Sequence, residues 1–349
     1  MNKILNACNA ILSQNNIQCL NFIDWLHYVK RHQHFDKSYS KENFKLRIIY
    51  KTFFLYFIKI LYKIFFNSKK FQPSSNINYD YIILSHKFGK SNEKDLYFGD
   101  IAKFLIKEKI KFKIYFYNHS VKSSKNDSIN YASTLEKILI FIKLIKNFFK
   151  VIEFTSKKKL KKYDLRIKLK IALESLSPKT FDNYIISYNV DKIYKKKNTI
   201  KNFITTYEGF SFERAIFYSI KSRNLKTLLI GYQHAPVLKY QNTIFKDFTY
   251  NYNPDVILTS GSITKNIFNK NFKNKKILEL GSNKIPINKK KILKDKKQLT
   301  ILVLPEGIES ECVSLYNFVF NVAQKMRKIN FIVRFHPLFD LNYLKKKYP

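Results

Sequence analysis

Residues 202–232, NFITTYEGFSFERAIFYSIKSRNLKTLLIGY, decide the fold. The run 202–206 reads as a short strand, 210–223 as a helix and 227–232 as a second strand. A strand, a helix and a strand in about thirty residues make a crossover unit, and such a connection joins parallel strands. The polar triplet Tyr207-Glu208-Gly209 then falls where the first strand ends and the helix begins.

The same alternation extends to both sides. Upstream, 80–85 reads as a strand, 93–109 as a helix, 112–117 as a strand and 120–130 as a polar loop. Residues 131–175 read as helical, with the lysine run 157–162 as a solvated turn. Downstream come a strand over 255–259, a helix to about Phe272 and a strand over 277–280. Residues 283–298 (NKIPINKKKILKDKKQ) are lysine-rich and lack a sustained period, as a linker does. The alternation restarts after them, with a strand over 299–304, a helix over 308–327, a strand over 330–335 and a helix from about Leu338.

The expected class is α/β, with two Rossmann-like domains built on parallel sheets that face a cleft. They span 76–282 and 299–349, the second abbreviated to two convincing strands. An N-terminal helical region over 1–75 precedes them, with a helix over 2–13, a short strand over 17–22 and a helix through Trp25 and Val29. Residues 1–20 lack the pattern of a secretion signal.

Composition bounds the partners. The 349 residues carry 65 Lys+Arg against 25 Asp+Glu, a formal net charge of +40, and 45% are hydrophobic, which excludes a wholly disordered chain. Only 7 of the basic residues are Arg, the residue suited to bidentate phosphate and base recognition. Lys, Asn, Ile, Phe and Tyr are abundant together, which is the mark of an AT-rich genome and accounts for much of the charge. An anionic partner accounts for the rest, and with no nucleic-acid signature in the sequence, nucleic acid is not the expected one. Cys8, Cys19 and Cys312 form no CxxC pair, so neither a disulfide framework nor a structural zinc is expected, and a reducing compartment fits.

Residues 44–66 form the longest apolar stretch. Lys45, Arg47, Lys51, Lys59 and Lys63 interrupt the ~20 apolar residues that a membrane span needs. On a helix these charges fall within an arc of about 160°. Leu46, Ile49, Tyr50, Phe53, Phe57, Ile60 and Ile64 lie opposite. Such a helix suits an anionic membrane surface or packs on its own domain.

Candidate chemistry sits at the strand ends. Glu208 is placed to act as a general base or to cap the following helix, with Gly209 beside it. In Gly231-Tyr-Gln-His-Ala-Pro236, read as a loop after the strand, Gln233 and His234 face a ligand or bond the backbone. Arg334 and His336, two apart before Pro337, share one side of an extended segment and can hold a departing phosphate. Pro305-Glu306-Gly307 precedes a helix whose N-terminus can bind an anion. Ser260-Gly261 is a weaker turn of the same kind. No metal-ligand pattern and no cofactor motif is present.

The motifs Tyr207-Glu208-Gly209 and His336-Pro337, 128 residues apart, resemble those of bacterial GT-B sialyl- and polysialyltransferases, with Tyr207 where an acid is usual. That resemblance implies Glu208 as base and His336 as the group on the leaving nucleotide phosphate. Gln233-His234 through Lys239, with Arg334–Pro337, is also similar to teichoic-acid glycerophosphotransferases, which would make His234 the base. The set YEG, GYQHAP, LPEG and RFHP looks most like surface-carbohydrate biosynthesis proteins. The implied activity is metal-independent, inverting glycosyl transfer from a nucleotide-activated sugar to a glycan or lipid-linked saccharide, in capsule or lipopolysaccharide synthesis at the cytoplasmic face of the membrane. Polyol-phosphate transfer from a CDP-activated donor, or a non-catalytic basic scaffold, are the alternatives.

Overall fold

The crossover unit around Glu208 is present. β3 (Asn202–Thr206) runs into α6 (Ser211–Lys221) and returns as β4 (Leu228–Gln233), paired with β3 in parallel from Asn202↔Leu228 to Thr206↔Tyr232. The computed structural model describes residues 22–23, 26, 46–66, 69–71, 73, 79–87, 95, 97–118, 128–156, 165–196, 200–223, 226–235, 237, 244–245, 252–273, 275–282, 299–305 and 309–334. The helix expected over 2–13, most of the strand and helix expected over 17–29, the linker 283–298 and the helix from Leu338 lie outside these residues.

Before that unit come α1 (Leu46–Phe66), β1 (Tyr81–Lys87), α2 (Ile101–Lys107), β2 (Phe112–Asn118), α3 (Thr134–Ser156), α4 (Leu165–Ser175) and α5 (Pro178–Lys196). After it come β5 (Val256–Thr259), α7 (Ser262–Asn271), β6 (Lys276–Glu279), β7 (Thr300–Val303), α8 (Glu309–Lys325) and β8 (Asn330–Val333). The fold is mixed α/β with parallel sheets, a Rossmann-like arrangement. The chain divides into two compact units, Met1–Pro286 and Ile287–Pro349.

In the first unit six parallel strands take the order β2-β1-β3-β4-β5-β6. The chain starts in the interior, steps outward to β2, then crosses back to the other side of β1. Its direction of winding therefore reverses between β1 and β3, and open parallel sheets form their ligand crevice at the carboxyl ends of such a pair.

One sheet face (Ile82, Leu84, Phe203, Leu229, Ile257) packs on α5, α6 and Phe268 of α7. The other (Ile83, Ile204, Tyr232) packs on Phe98 and Leu105. An outer layer follows, in which Ile60 and Ile64 of α1 and Ile140 and Leu144 of α3 cover Phe181, Tyr184 and Ile185 of α5. The second unit pairs β7 with β8 in parallel, from Thr300↔Asn330 to Val303↔Val333.

Several expectations need correction. The helix expected over 93–109 begins only at Ile101, because the Asp95 carboxylate accepts the N–H groups of Tyr97 and Phe98, both at 2.8 Å, and holds a turn there. Residues 131–175 hold two helices, the first starting after Ser133, whose hydroxyl and backbone exchange hydrogen bonds with Glu136. The whole of α5 was not expected. Its polar Asn183 and Asn189 are buried and donate to Phe22 O, Ile129 O and Tyr131 O, which hides the apolar period. β4 runs through Gly231 and Tyr232, as the strand expected over 227–232 does, and one residue further to Gln233, into the stretch 231–236 also read as a loop. Of the apolar face expected to meet a membrane, Ile49, Ile60 and Ile64 are buried in the protein. Among the described residues no helix is long and apolar enough to cross a membrane.

Gly231 lies close against Tyr207 and Pro254. A Cβ there would stand 2.8 Å from Tyr207 Cβ and 3.0 Å from Pro254 Cγ. The near end of a buried tyrosine cannot swing away. Gly231→Ala is therefore expected to cost about 2 kcal/mol, measured as a lower urea midpoint with unchanged slope. An unchanged midpoint would mean that Tyr207 yields freely.

Candidate active site

The β3–α6 turn is built around one carboxylate. Glu213, fully buried in the first turn of α6, accepts the N–H groups of Glu208 (2.9 Å), Gly209 (2.8 Å) and Phe210 (3.0 Å) and the Thr206 hydroxyl (3.2 Å). These include donors that a helix start leaves without intrahelical partners. Gly209 adopts φ 82°, the left-handed conformation that glycine takes without strain. The carboxylate that caps this helix is thus Glu213, and the side chain of Glu208 is turned elsewhere.

It turns to His234. Glu208 Oε1 lies 3.1 Å from His234 Nε2, with the two side chains only 16% and 8% exposed. His234 follows β4, the neighbour of β3, so two adjacent strand ends deliver the pair. The Tyr97 ring meets the His234 ring edge to face at 4.4 Å. The hydroxyl of Tyr97 is pushed above its usual range by burial, then by the negative charges of Glu208 and Asp95.

A second imidazole also meets Tyr97. His86, near the end of β1, has its ring 5.0 Å from that of Tyr97 and its Nε2 2.9 Å from Thr206 Oγ1. Thr206 in turn reaches Glu213, so a continuous line runs from His86 through a hydroxyl to a buried carboxyl. His86, Thr206, Glu208 and His234 are therefore gathered at the carboxyl edge where the winding reverses. A carboxylate paired with an imidazole orients the ring, stabilises its protonated form and so suits it to take a proton from a hydroxyl.

Gly209 is buried in the turn. Gln233 is fully buried, and its amide donates to Ala235 O. Ser260 donates its N–H to Gln233 O at 3.1 Å, beside the site but through backbone. Gly261 precedes α7 in an extended conformation with open space at its Cβ position. Arg334 belongs to the second unit, where it is exposed and its N–H bonds Val303 O at 3.0 Å. Glu306, Gly307, His336 and Pro337 lie outside the described residues. Sequence reasoning missed His86, Tyr97, Thr206 and Glu213. For His86 a signal existed, an imidazole at the carboxyl end of a strong apolar strand. Among the described residues no group of histidine, cysteine and acidic side chains is arranged to hold a metal.

Burial, and then the charge of Glu208, push the Glu213 carboxyl up to about 8 against the N–H donors that hold it down. The folded chain then keeps a proton that the unfolded chain releases at an ordinary carboxyl value, so stability falls as pH rises from about 4.5 to about 8. Urea midpoints across that range should show this decline, Glu213→Gln should flatten it, and Glu208→Gln should move it to lower pH. A wild-type profile as flat as that of Glu213→Gln would refute the shift. No family model, curated protein or solved structure matches the chain, which stands as an α/β protein on a scaffold consistent with nucleotide-binding enzymes.

Proposed function

We propose that the protein is a metal-independent transferase that moves a sugar from a nucleotide-activated donor to a hydroxyl acceptor, in the synthesis of a bacterial surface polysaccharide. The observation that carries this reading is the Glu208–His234 pair at 3.1 Å, on the carboxyl edge of a doubly wound parallel sheet. The order of the four short motifs along the sequence adds support.

The pair works as one acid–base unit. It takes the acceptor proton as the acceptor oxygen attacks the anomeric carbon and the bond to the nucleotide phosphate breaks. The charge then develops on the leaving phosphate, which the resemblance assigns to His336 and the sequence pattern to Arg334 and the helix start after Gly307. The acceptor on this reading is a growing glycan or a lipid-linked saccharide at the inner face of the cytoplasmic membrane.

The contact also favours a second reading, polyol-phosphate transfer from a CDP-activated donor, because it equips an imidazole and not a bare carboxylate as base. Because Glu208 and His234 act together, losing either damages both reactions, so the product must discriminate. In one reaction the transferred group carries no phosphate, and in the other it does.

Incubation of the full chain with CMP-, UDP-, GDP- and CDP-linked donors and a lipid-linked acceptor, read by mass spectrometry, tests this. A sugar-only mass increment is expected, with a turnover loss of about 10²–10⁴-fold in His234→Gln and a comparable one in Glu208→Gln. A phosphate in the product would install the second reading. Full activity in both variants would remove the pair from the chemistry.

A further inference from the structure

α1 is anchored along one side only. Ile49, Ile60 and Ile64 are buried, the Tyr56 hydroxyl donates to Glu174 at 3.0 Å, and Lys63 pairs with Asp182 at 2.7 Å. Buried Lys137 of α3 donates to the Lys63 carbonyl at 2.8 Å and fixes the last turn. The outward side is not polar, as a solvated helix face would be. Tyr50, Phe54, Ile58, Tyr62 and Phe66 are spaced by four and form one stripe. Their exposures are 73, 63, 45, 61 and 77%. Contiguous exposed apolar surface of this kind marks an interaction site.

The charge around the stripe selects the occupant. Arg47 and Lys51 stand at its N-terminal end and Lys59 on its flank, all exposed, and α1 contains no acidic residue. α3 lies alongside through Phe53–Phe148 and Phe57–Phe141 ring contacts and has the same character. Its Leu139, Ile142 and Phe149 are exposed, interleaved with exposed Lys143, Lys146 and Lys150. A second copy laid on this face would bring mostly lysine against lysine, with Glu153 near the end of α3 as an exposed carboxylate against Arg47, Lys51, Lys59, Lys143, Lys146 and Lys150. A surface of phosphate headgroups over acyl chains matches both the charge and the aromatic character.

We propose that the outer face of α1, continued by α3, docks the protein on an anionic phospholipid surface. The rings of the stripe enter the headgroup region and the flanking lysines contact lipid phosphates. This inference does not rest on the transferase reading, and the two can fail separately.

The test is co-sedimentation of the full chain with vesicles of phosphatidylcholine alone, or of phosphatidylcholine mixed with phosphatidylglycerol. Strong binding to the mixed vesicles only is expected. Phe54→Gln/Ile58→Gln should weaken it by roughly tenfold. Lys51→Gln/Lys59→Gln should cost about fivefold for each lysine removed. All four side chains are exposed, so circular dichroism and the urea midpoint should match wild type. In case one variant misfolds, Ile58→Trp supplies a second readout, a blue shift of emission on adding mixed vesicles. Equal binding to neutral vesicles, or undiminished binding of Phe54→Gln/Ile58→Gln, would overturn the proposal. So would a dimer that the same substitutions dissociate while lipid binding is absent.

Discussion

The candidate site depends on a buried carboxylate that bonds to its own chain. Glu213 reaches back from the first turn of α6 and collects the amides of residues 208–210. Without it those donors would lose their partners, and the buried Gly209 N–H alone would cost about 1–3 kcal/mol. The turn is therefore fixed by hydrogen bonds above and by the packing of Tyr207 beneath. Its shape, with Gly209 in the left-handed region, sets the direction in which Glu208 leaves the backbone. The direction that brings Glu208 to His234 is thus inherited from a residue outside that pair.

The sheet topology does the rest. With β1 and β3 adjacent, and β4 next to β3, three strand ends lie side by side. Each brings a side chain of different chemistry: His86, Thr206 with Glu208, and His234. The glycine at position 231 lets β4 and its preceding neighbour lie close enough for Tyr207 to fill the core beneath the turn. Arg214, fully buried next to Glu213, stacks on that same tyrosine ring and donates to the Tyr252 carbonyl at 2.9 Å, which fixes the approach to β5. Fold and site thus share their supports, so changes in the core under the turn act on the chemistry above it.

How legible this was in the sequence follows from the physics of each element. β3 was readable to the residue, because a short apolar strand between polar breaks has no competing period. The mixed α/β class with parallel strands follows from alternation alone. α5 was not readable, since its asparagines are buried for their hydrogen bonds and blur the apolar stripe. α2 lost its first turns to a local Asp95 turn that helix periodicity does not register. In the site, Glu208 and His234 were visible as polar residues after strands. Their contact was not, because it depends on which strands are neighbours. Glu213 reads in sequence as an ordinary acid near a helix start, and only its burial reveals what it does.

The setting of the two carboxylates sharpens their meaning. This chain has 25 acidic residues against 65 basic ones, so an acid has many partners of opposite sign available. Most of the acids in described ion pairs meet a lysine, as Asp182, Glu174, Glu136 and Asp255 do. Glu208 and Glu213 instead sit close enough for one to raise the other, with an imidazole on the first and backbone amides on the second. Like charges so placed destabilise a protein unless one of them keeps its proton. A lysine in place of Glu213 would relieve the repulsion but could not accept the amides of 208–210, so the turn needs an acid there. Burial therefore decides which of the two is pushed toward its protonated form, and it is Glu213, the one enclosed by the turn.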